Sequence, residues 1–207
     1  MKVSERVIML KELINQFQHM MDTLQRDNPL PRKNQSFSTR TEYLPETHVL
    51  KDGTEVRLEV GSRRHIADIL AVQKLGYRGK TPWGYVALEK DIVRSTKSLY
   101  LIFYHQFEPI AFLGSRLEIT DIHITNLAVV PDWQNQGAGR LLLQLLHAVA
   151  KQEGVSSLSL EVRVSNETAK TLYKNMGFKA LGIKKNYYHG DGEDALDMRL
   201  DLHEEVE

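Results

Sequence analysis

Apolar residues recur along the chain at two different spacings, and segments of the two kinds are interspersed. Apolar positions that alternate with polar ones, or a short run rich in valine and isoleucine, predict a β-strand, whereas apolar residues three and four positions apart predict a helix. Strands are expected at residues 48–50, 55–60, 99–104, 110–116, 121–130, 157–163, 178–183 and 195–200, and helices at residues 63–74, 88–95, 140–153 and 166–176. This succession predicts an α/β or α+β domain in which helices cover both faces of a mixed sheet.

The first 47 residues have a different pattern from the rest of the chain. Residues 3–24 carry an apolar stripe at helical spacing, whereas residues 26–46 are polar and contain three prolines. We therefore expect an amphipathic helix and a linker or extended arm at residues 1–47, followed by a folded domain at residues 48–207. The polar face of the helix is not strongly basic, which favours packing against the domain or a partner over binding to a membrane.

A glycine-containing junction joins one predicted strand to the helix that follows it. The strand ends before Pro131, and the residues Q-N-Q-G-A-G-R follow at positions 134–140. The first N–H groups of a helix have no partner within the helix, and the helix dipole makes that end positive. Gly137 and Gly139 would let a ligand approach the backbone, and Arg140 would add a cation, so the junction suits a pyrophosphate. The pattern by itself is equally compatible with a glycine turn that binds nothing.

Composition narrows the classes of function. Lys and Arg total 27, as do Asp and Glu, so the formal charge is zero and a general role in binding nucleic acid or a membrane surface is not expected. The absence of cysteine excludes disulfides, thiolate nucleophiles and cysteine-based metal sites. His123 lies in a predicted strand without a second ligand at metal spacing, so no metal site is expected. No apolar run reaches about 18 residues and the N-terminus has no apolar signal core, so a cytoplasmic protein is expected.

Four further motifs follow the glycine junction. They are L-E-V-R-V-S-N at residues 160–166, A-x-x-L-Y with a later G-F within residues 169–178, N-Y-Y at residues 186–188 and E-D-A-x-x-M at residues 193–198. Together with Q-x-x-G-x-G, they resemble the GNAT superfamily of N-acetyltransferases and, within it, the ribosomal-protein alanine N-acetyltransferases. The resemblance covers about residues 54–200, and it rests on the combination because each motif alone is weak. It implies a GNAT-type sheet that is twisted, mixed and mostly antiparallel, with flanking helices and an additional N-terminal helical extension.

The resemblance also implies an activity and the residues that perform it. An acetyl group would pass directly from acetyl-CoA, the cosubstrate, to the N-terminal α-amine of a protein such as a ribosomal protein. Glu161 corresponds to the general base and Tyr173 to the general acid. The implied cofactor-binding residues are Leu127, Ala128, Val129, Asn135, Gln136, Gly137, Ala138, Gly139, Arg140 and Asn166, and the residues expected to line the peptide groove are Trp83, Asn186, Tyr187 and Tyr188.

The two residues expected to transfer protons suit this chemistry. An α-amine has a pKa of about 7.7 to 8.0 and is partly neutral near pH 7.4, whereas a lysine amine with a pKa of about 10.4 is almost entirely charged. An enzyme for α-amines therefore needs only a modest base, such as a carboxylate acting through water, and a tyrosine can protonate the leaving thiolate. Taken alone, Glu161 would be interpreted as a solvated strand residue and Tyr173 as a core aromatic.

Two features depart from the pattern of the family. Asn135 occupies a position of the phosphate loop that is commonly basic, which would lower the affinity for the cofactor although backbone amides would still bind it. The first fifty or so residues have no counterpart in the minimal family domain. They would block, extend or specify the peptide groove, or form a dimer contact.

Two other functions fit the same residues. In the first alternative, the chain is an enzyme that acetylates a lysine or a small amine. In the second, it is a regulatory module that binds the cofactor without turnover. Acetylation confined to ε-amines or to a metabolite would distinguish the first alternative. Binding of acetyl-CoA without turnover on any α-amine peptide would distinguish the second.

Overall fold

The computed structural model describes residues 35–41, 43–77, 79 and 81–202. The helix expected at residues 3–24 lies outside the described residues, as does most of the polar segment after it. The strands are β1 (Thr47–Val49), β2 (Glu55–Val60), β3 (Ser98–His105), β4 (Glu108–Leu117), β5 (Asp121–Val129), β6 (Ser157–Arg163), β7 (Lys179–Tyr188) and β8 (Glu193–Asp201). The helices are α1 (Ile66–Gly76), α2 (Tyr85–Glu89), α3 (Ala138–Glu153) and α4 (Glu167–Asn175), with shorter helical turns at Phe37–Thr41, Arg63–His65, Lys90–Arg94 and Pro131–Trp133.

The eight strands of the described part of the chain form one sheet in the order β1-β2-β3-β4-β5-β6-β8-β7. Every neighbouring pair is antiparallel except β5 and β6, which are parallel. Parallel neighbours need a crossover connection, and α3 supplies it. The predicted mixed, mostly antiparallel sheet with flanking helices is confirmed.

Helices pack on both faces of the sheet and bury β3 from two sides. Because successive side chains of a strand point to opposite faces, alternate residues of β3 enter two different cores. One core joins β3 to the apolar face of α3 and includes Leu99, Leu101, Phe103, Leu142, Leu145, Leu146 and Val149. The other joins β3 to α1 and α2 and includes Tyr100, Ile102, Tyr104, Ile66, Ile69, Val72 and Leu88. The sheet therefore separates two apolar layers.

Helix α3 begins and ends at glycines with positive φ. Gly137 precedes it with φ 98°, and Gly154 ends it with φ 69° while its N–H donates to the backbone of the last turn. Left-handed backbone is cheap for glycine, so these positions set the limits of the helix. The helix starts two residues before the predicted Arg140, because the apolar spacing marks only the buried face.

No helix in the described ranges is long and apolar enough to cross a membrane.

The residues just before β1 pack onto the domain. Phe37 is completely buried and Leu44 nearly so, both in the core that contains α3. Arg40 forms an ion pair with Glu153 at the end of α3, with 2.7 Å between Nη1 and Oε2. The part of the predicted linker or arm that the structure describes is therefore held by apolar and ionic contacts. Its polar composition gives little sign of the two buried side chains.

Two elements differ from their predicted bounds. The helix expected at residues 88–95 starts earlier, at Tyr85, and continues after α2 as the π-helical turn Lys90–Arg94. Its early apolar residues, Tyr85 and Val86, are exposed, so they do not mark a buried face. Strand β7 runs on to Tyr188 instead of ending near residue 183, because Lys184 and Tyr188 pair with Ala195 and Glu193 of β8 on either side of an irregularity that contains Asn186.

The close packing of Gly114 in β4 leads to a stability prediction. A Cβ at this position would lie 2.7 Å from Cε1 of Tyr100, whose buried ring is also held by a hydrogen bond from its hydroxyl to Asp91. We expect Gly114→Ala to lower the free energy of unfolding by about 1–3 kcal/mol, the usual range for overpacking. Urea denaturation measures this change.

Gly182→Ala is the matched control. Gly182 also lies in a strand, but among the described residues, its chain neighbours aside, no atom lies within 4 Å of the position that a Cβ would occupy. This variant should change the free energy of unfolding by no more than about 0.5 kcal/mol. Equal stability of the two variants would show that the ring of Tyr100 moves aside freely.

Candidate active site

Strands β5 and β6 pair only along their first halves and then separate. The parallel pairing begins at Asp121 with Ser157 and ends at Ile124 with Leu160. Beyond this point β5 remains paired with β4, and β6 remains paired with β8. An opening therefore lies between residues 125–129 of β5 and residues 161–163 of β6, and we call it the strand gap.

A β-bulge in β5 coincides with the start of the strand gap. Ile124 pairs with Ser115 and Asn126 pairs with Gly114, so Thr125 is an extra residue on β5. A bulge bends a strand and interrupts its ladder, which accounts for the departure of β5 from β6. The stretch expected to bind the pantetheine, residues 127–129, consequently borders the strand gap.

The N-terminus of α3 carries backbone amides that are available to a ligand. No hydrogen bond from the N–H groups of residues 137–140 is found within the described part of the chain, and Gly137 offers no side-chain cap. The loop before the helix is held by the side-chain amides of Gln134 and Gln136, which donate to the backbone oxygens of Val129 and Asp132. Available N–H groups at the positive end of a helix suit an anion.

Two predicted residues of this loop differ in charge. Asn135 is exposed, neutral and in the left-handed conformation with φ 62°. Arg140 is half-buried, and its Nη1 lies 3.8 Å from the sulfur of Met176. Among residues 135–140, Arg140 is therefore the one residue with a positive charge.

Glu161, the predicted base, is the first residue of β6 beyond its pairing with β5. Its carboxylate is held by Lys184 at 2.5 Å, by the hydroxyl of Tyr187 at 3.0 Å and by Nε2 of His123 at 3.1 Å. The hydrogen bond with His123, followed by those with Lys184 and Tyr187, lowers the pKa of Glu161 to about 2 although burial opposes the change. Glu161 is thus a well-positioned carboxylate and a weak base.

His123 connects Glu161 to a second carboxylate on the other side of the parallel pair. Its Nδ1 lies 2.9 Å from the hydroxyl of Ser159, which donates to Asp121 at 2.5 Å. Ser157 also donates to Asp121, at 2.7 Å. His123 was expected on a strand face, but its contact with Glu161 could not be predicted because the two residues lie on different strands.

Tyr173, the predicted acid, is buried in α4 with its ring tilted against Phe178, the centroids 5.6 Å apart. Burial, with the nearby hydroxyls of Tyr77 and Tyr188, raises the pKa of Tyr173 and keeps its phenol protonated. Those two neighbours reach opposite sides of the strand gap. The hydroxyl oxygen of Tyr77 lies 3.1 Å from the backbone oxygen of Leu127, and the hydroxyl of Tyr188 donates to the backbone oxygen of Glu161 at 3.4 Å.

A buried polar network connects the Trp83 loop to β5. The fully buried side chain of Gln73 donates to the backbone oxygen of Trp83 and accepts from its N–H, at 3.1 and 3.2 Å. Asn126 donates to the same Gln73 oxygen at 3.3 Å and accepts from Tyr77 at 2.5 Å. Sequence reasoning assigned no role to Gln73 or Asn126. The sequence does contain one sign of a buried role for Gln73. It follows Ile69 by four positions, which places a polar side chain on the apolar face of α1.

The other predicted residues have defined local positions. Asn166 caps α4, since its side-chain oxygen accepts from the N–H of Ala169 at 3.1 Å. Trp83 is half-buried and packs against the core that contains α1. Tyr187 and Tyr188 lie edge to face at the end of β7, and Asn186 beside them has φ 51° and donates its N–H to Asp194. Their roles in binding cofactor or peptide stay predictions.

Comparison with known proteins identifies the class. Residues 73–202 match the family described as the acetyltransferase (GNAT) domain. Since this match spans more than half of the chain, the protein belongs to the GNAT acetyltransferase family and is an N-acetyltransferase, as the motifs predicted.

Its relatives include enzymes that act on a ribosomal protein. The chain is 38% identical over 125 residues to the [ribosomal protein bS18]-alanine N-acetyltransferase of Escherichia coli strain K12. The aligned region covers 58% of this chain and 82% of that protein. It is 37% identical over 124 residues to the enzyme of the same name from Haemophilus ducreyi, which covers 58% and 84% respectively. The crystal structure of the ribosomal-protein-S18-alanine N-acetyltransferase from Escherichia coli matches with a TM-score of 0.65 and 28% identity over 73% of this chain and 97% of that one.

The depressed pKa of Glu161 leads to a prediction for stability against pH. Because the pKa is lower in the folded chain, at about 2, than the ordinary value of 4.5, the ionised carboxylate stabilises the fold above pH about 4.5. This contribution is on the order of 3 kcal/mol, and it should be lost progressively as the pH falls from about 4.5 towards 2. Urea unfolding of the unsubstituted protein and Glu161→Gln across this range measures it.

The difference in stability between these two proteins should shrink as the pH falls. Glu118→Gln serves as the control, because Glu118 is half-exposed and its ion-pair distance to Lys97 is 3.9 Å. Its effect on the free energy of unfolding should stay below about 1 kcal/mol throughout. A difference for Glu161→Gln that does not vary with pH would contradict the depressed pKa.

Proposed function

We propose that this N-acetyltransferase moves the acetyl group of acetyl-CoA to the α-amine at the N-terminus of a protein, with both substrates bound together. The observation that carries the proposal is the convergence of groups at the strand gap. Tyr77 and Tyr188 reach its two sides and both lie close enough to Tyr173 to raise its pKa, while Glu161 begins the β6 side. Glu161 and the unpaired edge of β5 therefore border one opening, and the proposed acid, Tyr173, has neighbours on both sides of it.

The loop before α3 suits the diphosphate of acetyl-CoA. The available N–H groups of residues 137–140 are donors for phosphate oxygens, and Arg140 adds charge. Gly137 has no Cβ, and apart from its chain neighbours the atoms nearest the position of that missing Cβ belong to the flexible side chain of Lys51. In this proposal the backbone of Leu127, Ala128 and Val129 holds the pantetheine, residues 135–140 hold the diphosphate, and the side-chain nitrogen of Asn166 contributes a further contact.

The chemistry requires one new bond and two proton movements. The amine nitrogen bonds to the acetyl carbonyl carbon while the carbon–sulfur bond of the thioester breaks. Glu161 receives the proton from the amine through a water molecule, because both carboxylate oxygens already hold donors. Backbone N–H groups on the β5 side stabilise the charge that develops on the acetyl oxygen, and Tyr173 protonates the departing sulfur.

The strength of Glu161 as a base favours an α-amine over a lysine. A carboxylate with a pKa of about 2 has little driving force to remove a proton from an ammonium group with a pKa of about 10.4. An α-amine, with a pKa of about 7.7 to 8.0, already has a substantial neutral fraction near pH 7.4. For this substrate the carboxylate needs only to orient the amine and accept a proton as the new bond forms.

Residues beside the strand gap are candidates for the peptide groove. Tyr187 and Tyr188 border Glu161, and Asn186 precedes them in β7. Trp83 is connected to the β5 side through the side chains of Gln73 and Asn126. We propose that these four residues, Trp83, Asn186, Tyr187 and Tyr188, receive the first residues of the acceptor protein.

The relatives suggest the acceptor. Two of them are named for the acetylation of alanine in ribosomal protein bS18, and each is matched over more than four-fifths of its length. We therefore propose that the acceptor is a protein that begins with alanine, with a ribosomal protein as the first candidate.

The acceptor class can be tested with peptides. The protein should acetylate a peptide that begins with a free alanine and contains no lysine, and it should leave the same sequence untouched when the N-terminus is blocked and a lysine is present. Mass spectrometry of the products measures both reactions. Acetylation confined to the lysine would support the alternative enzyme, and acetyl-CoA binding without any product would support the regulatory module.

The roles of Glu161 and Tyr173 can be tested by substitution. Glu161→Gln and Tyr173→Phe should each lower kcat by roughly 10 to 10³-fold, because each removes one proton-transfer group while keeping the shape. Steady-state kinetics with the alanine peptide measures kcat. Glu118→Gln and Tyr85→Phe, at exposed positions, are matched controls expected to keep full turnover. Unchanged kcat in both active-site variants, with acetyl-CoA still bound, would remove the assigned roles.

A further inference from the structure

Lys51, in the turn between β1 and β2, lies against the phosphate loop although it is distant in sequence. Its N–H donates to the backbone oxygen of Gln136, with 3.2 Å between the two atoms. Its Cγ, Cδ and Cε lie 3.1, 3.4 and 3.6 Å from the position that a Cβ of Gly137 would occupy. The side chain of Lys51 therefore runs across the loop over Gly137, which has no side chain to obstruct it.

The charge of Lys51 has no opposite partner among the described residues. Within the part of the chain that the structure describes, no carboxylate lies within ion-pair distance of its ammonium group. The carboxylate of the adjacent Asp52 instead accepts from the N–H of Thr54 at 3.0 Å. Lys51 is also exposed, so its ammonium group can reach a ligand without displacing another protein contact.

The loop itself has a deficit of positive charge that Lys51 can offset. Position 135 is a neutral asparagine, and Arg140 is half-buried beside Met176. A diphosphate bound at residues 137–140 carries more negative charge than a helix terminus and one arginine balance. A lysine that crosses Gly137 from a neighbouring hairpin brings a second cation to the same place.

We propose that Lys51 binds the diphosphate of coenzyme A and takes the electrostatic role that Asn135 does not supply. The inference deepens the proposed function and rests on it. It assigns the β1–β2 turn to the cofactor site, through a contact that the pattern of motifs does not contain. The hydrogen bond from the N–H of Lys51 to Gln136 holds the backbone of this residue beside the loop, so binding needs to order the side chain alone.

Titration calorimetry with coenzyme A tests the inference. Lys51→Ala should weaken binding by about 5- to 20-fold at low salt, the size expected for one charge-assisted contact at an exposed site. Lys51→Arg keeps the cation and should bind within about twofold of the unsubstituted protein. The loss caused by Lys51→Ala should diminish as salt is added, because salt screens exposed charges.

Lys97→Ala is the matched control. Lys97 is an exposed lysine that precedes β3, whereas His105 at the other end of β3 packs with its ring tilted against Trp133 beside the phosphate loop. The eight residues of β3 separate the two ends by about 25 Å, so this substitution should leave the affinity unchanged. An equal loss in Lys97→Ala would mean that only the total charge matters, and this would overturn the assignment.

Dephospho-coenzyme A identifies the group that Lys51 contacts. This ligand keeps the diphosphate but lacks the 3′-phosphate, so Lys51→Ala should weaken its binding by the same factor as for coenzyme A. Disappearance of the effect would move the contact to the 3′-phosphate and overturn the proposal. Tight binding by Lys51→Ala would refute the role of Lys51 alone, whereas no binding by the folded, unsubstituted protein would refute the proposed function as well.

Discussion

The limited pairing between β5 and β6 is the constraint on which the site depends. The two strands pair as far as Ile124 and Leu160, and the extra residue Thr125 then bends β5 away. The opening leaves the end of β5 without a neighbour on one side and makes Glu161 the first residue of β6 to border it. Because α3 follows β5 directly, the same geometry brings the amides of residues 137–140 to this end of the sheet. The proposed cofactor site and the position of the carboxylate thus both depend on one interruption of a ladder.

The environment of Glu161 holds its carboxylate in a fixed position and at the same time makes it a weaker base. Lys184, Tyr187 and His123 hold its two oxygens, and their hydrogen bonds stabilise the charged form strongly enough to lower its pKa to about 2. A free carboxylate would be a somewhat better base but would be less well oriented. Burial has the opposite effect on Tyr173, since it disfavours the charged form and keeps the proton on the phenol. The pKa of Glu161 is therefore lowered and that of Tyr173 raised, so the first group stays ionised and the second stays protonated.

Buried polar contacts extend this organisation beyond the reacting groups. Gln73 fixes the backbone of Trp83, while Asn126 and Tyr77 carry the same network to the carbonyl of Leu127. A buried amide that loses a partner costs free energy, so the members of the network constrain one another. The loop proposed to contact the acceptor and the strand proposed to contact the thioester are consequently held in one arrangement.

Local patterns were sufficient to predict much of the architecture and several groups of the site. The apolar spacing of α3, the alternation that turns Glu161 away from Leu160 and Val162, and the glycines before α3 depend on neighbouring residues, and the structure agrees with them. The family followed from motifs that each occupy one short stretch. The order of the strands could be expected only through the resemblance, because pairing partners such as β6 and β8 are not adjacent in the chain.

What the sequence determined by itself was the kind of each element and the chemical groups that each could present. Only the tertiary structure decided which groups meet: His123 with Glu161, Gln73 with Trp83 and Lys51 with Gly137. The physical reason is that spacing along the chain controls which face of a helix or strand a side chain occupies. Contacts between elements depend instead on how the whole core packs and on where the sheet ladder stops.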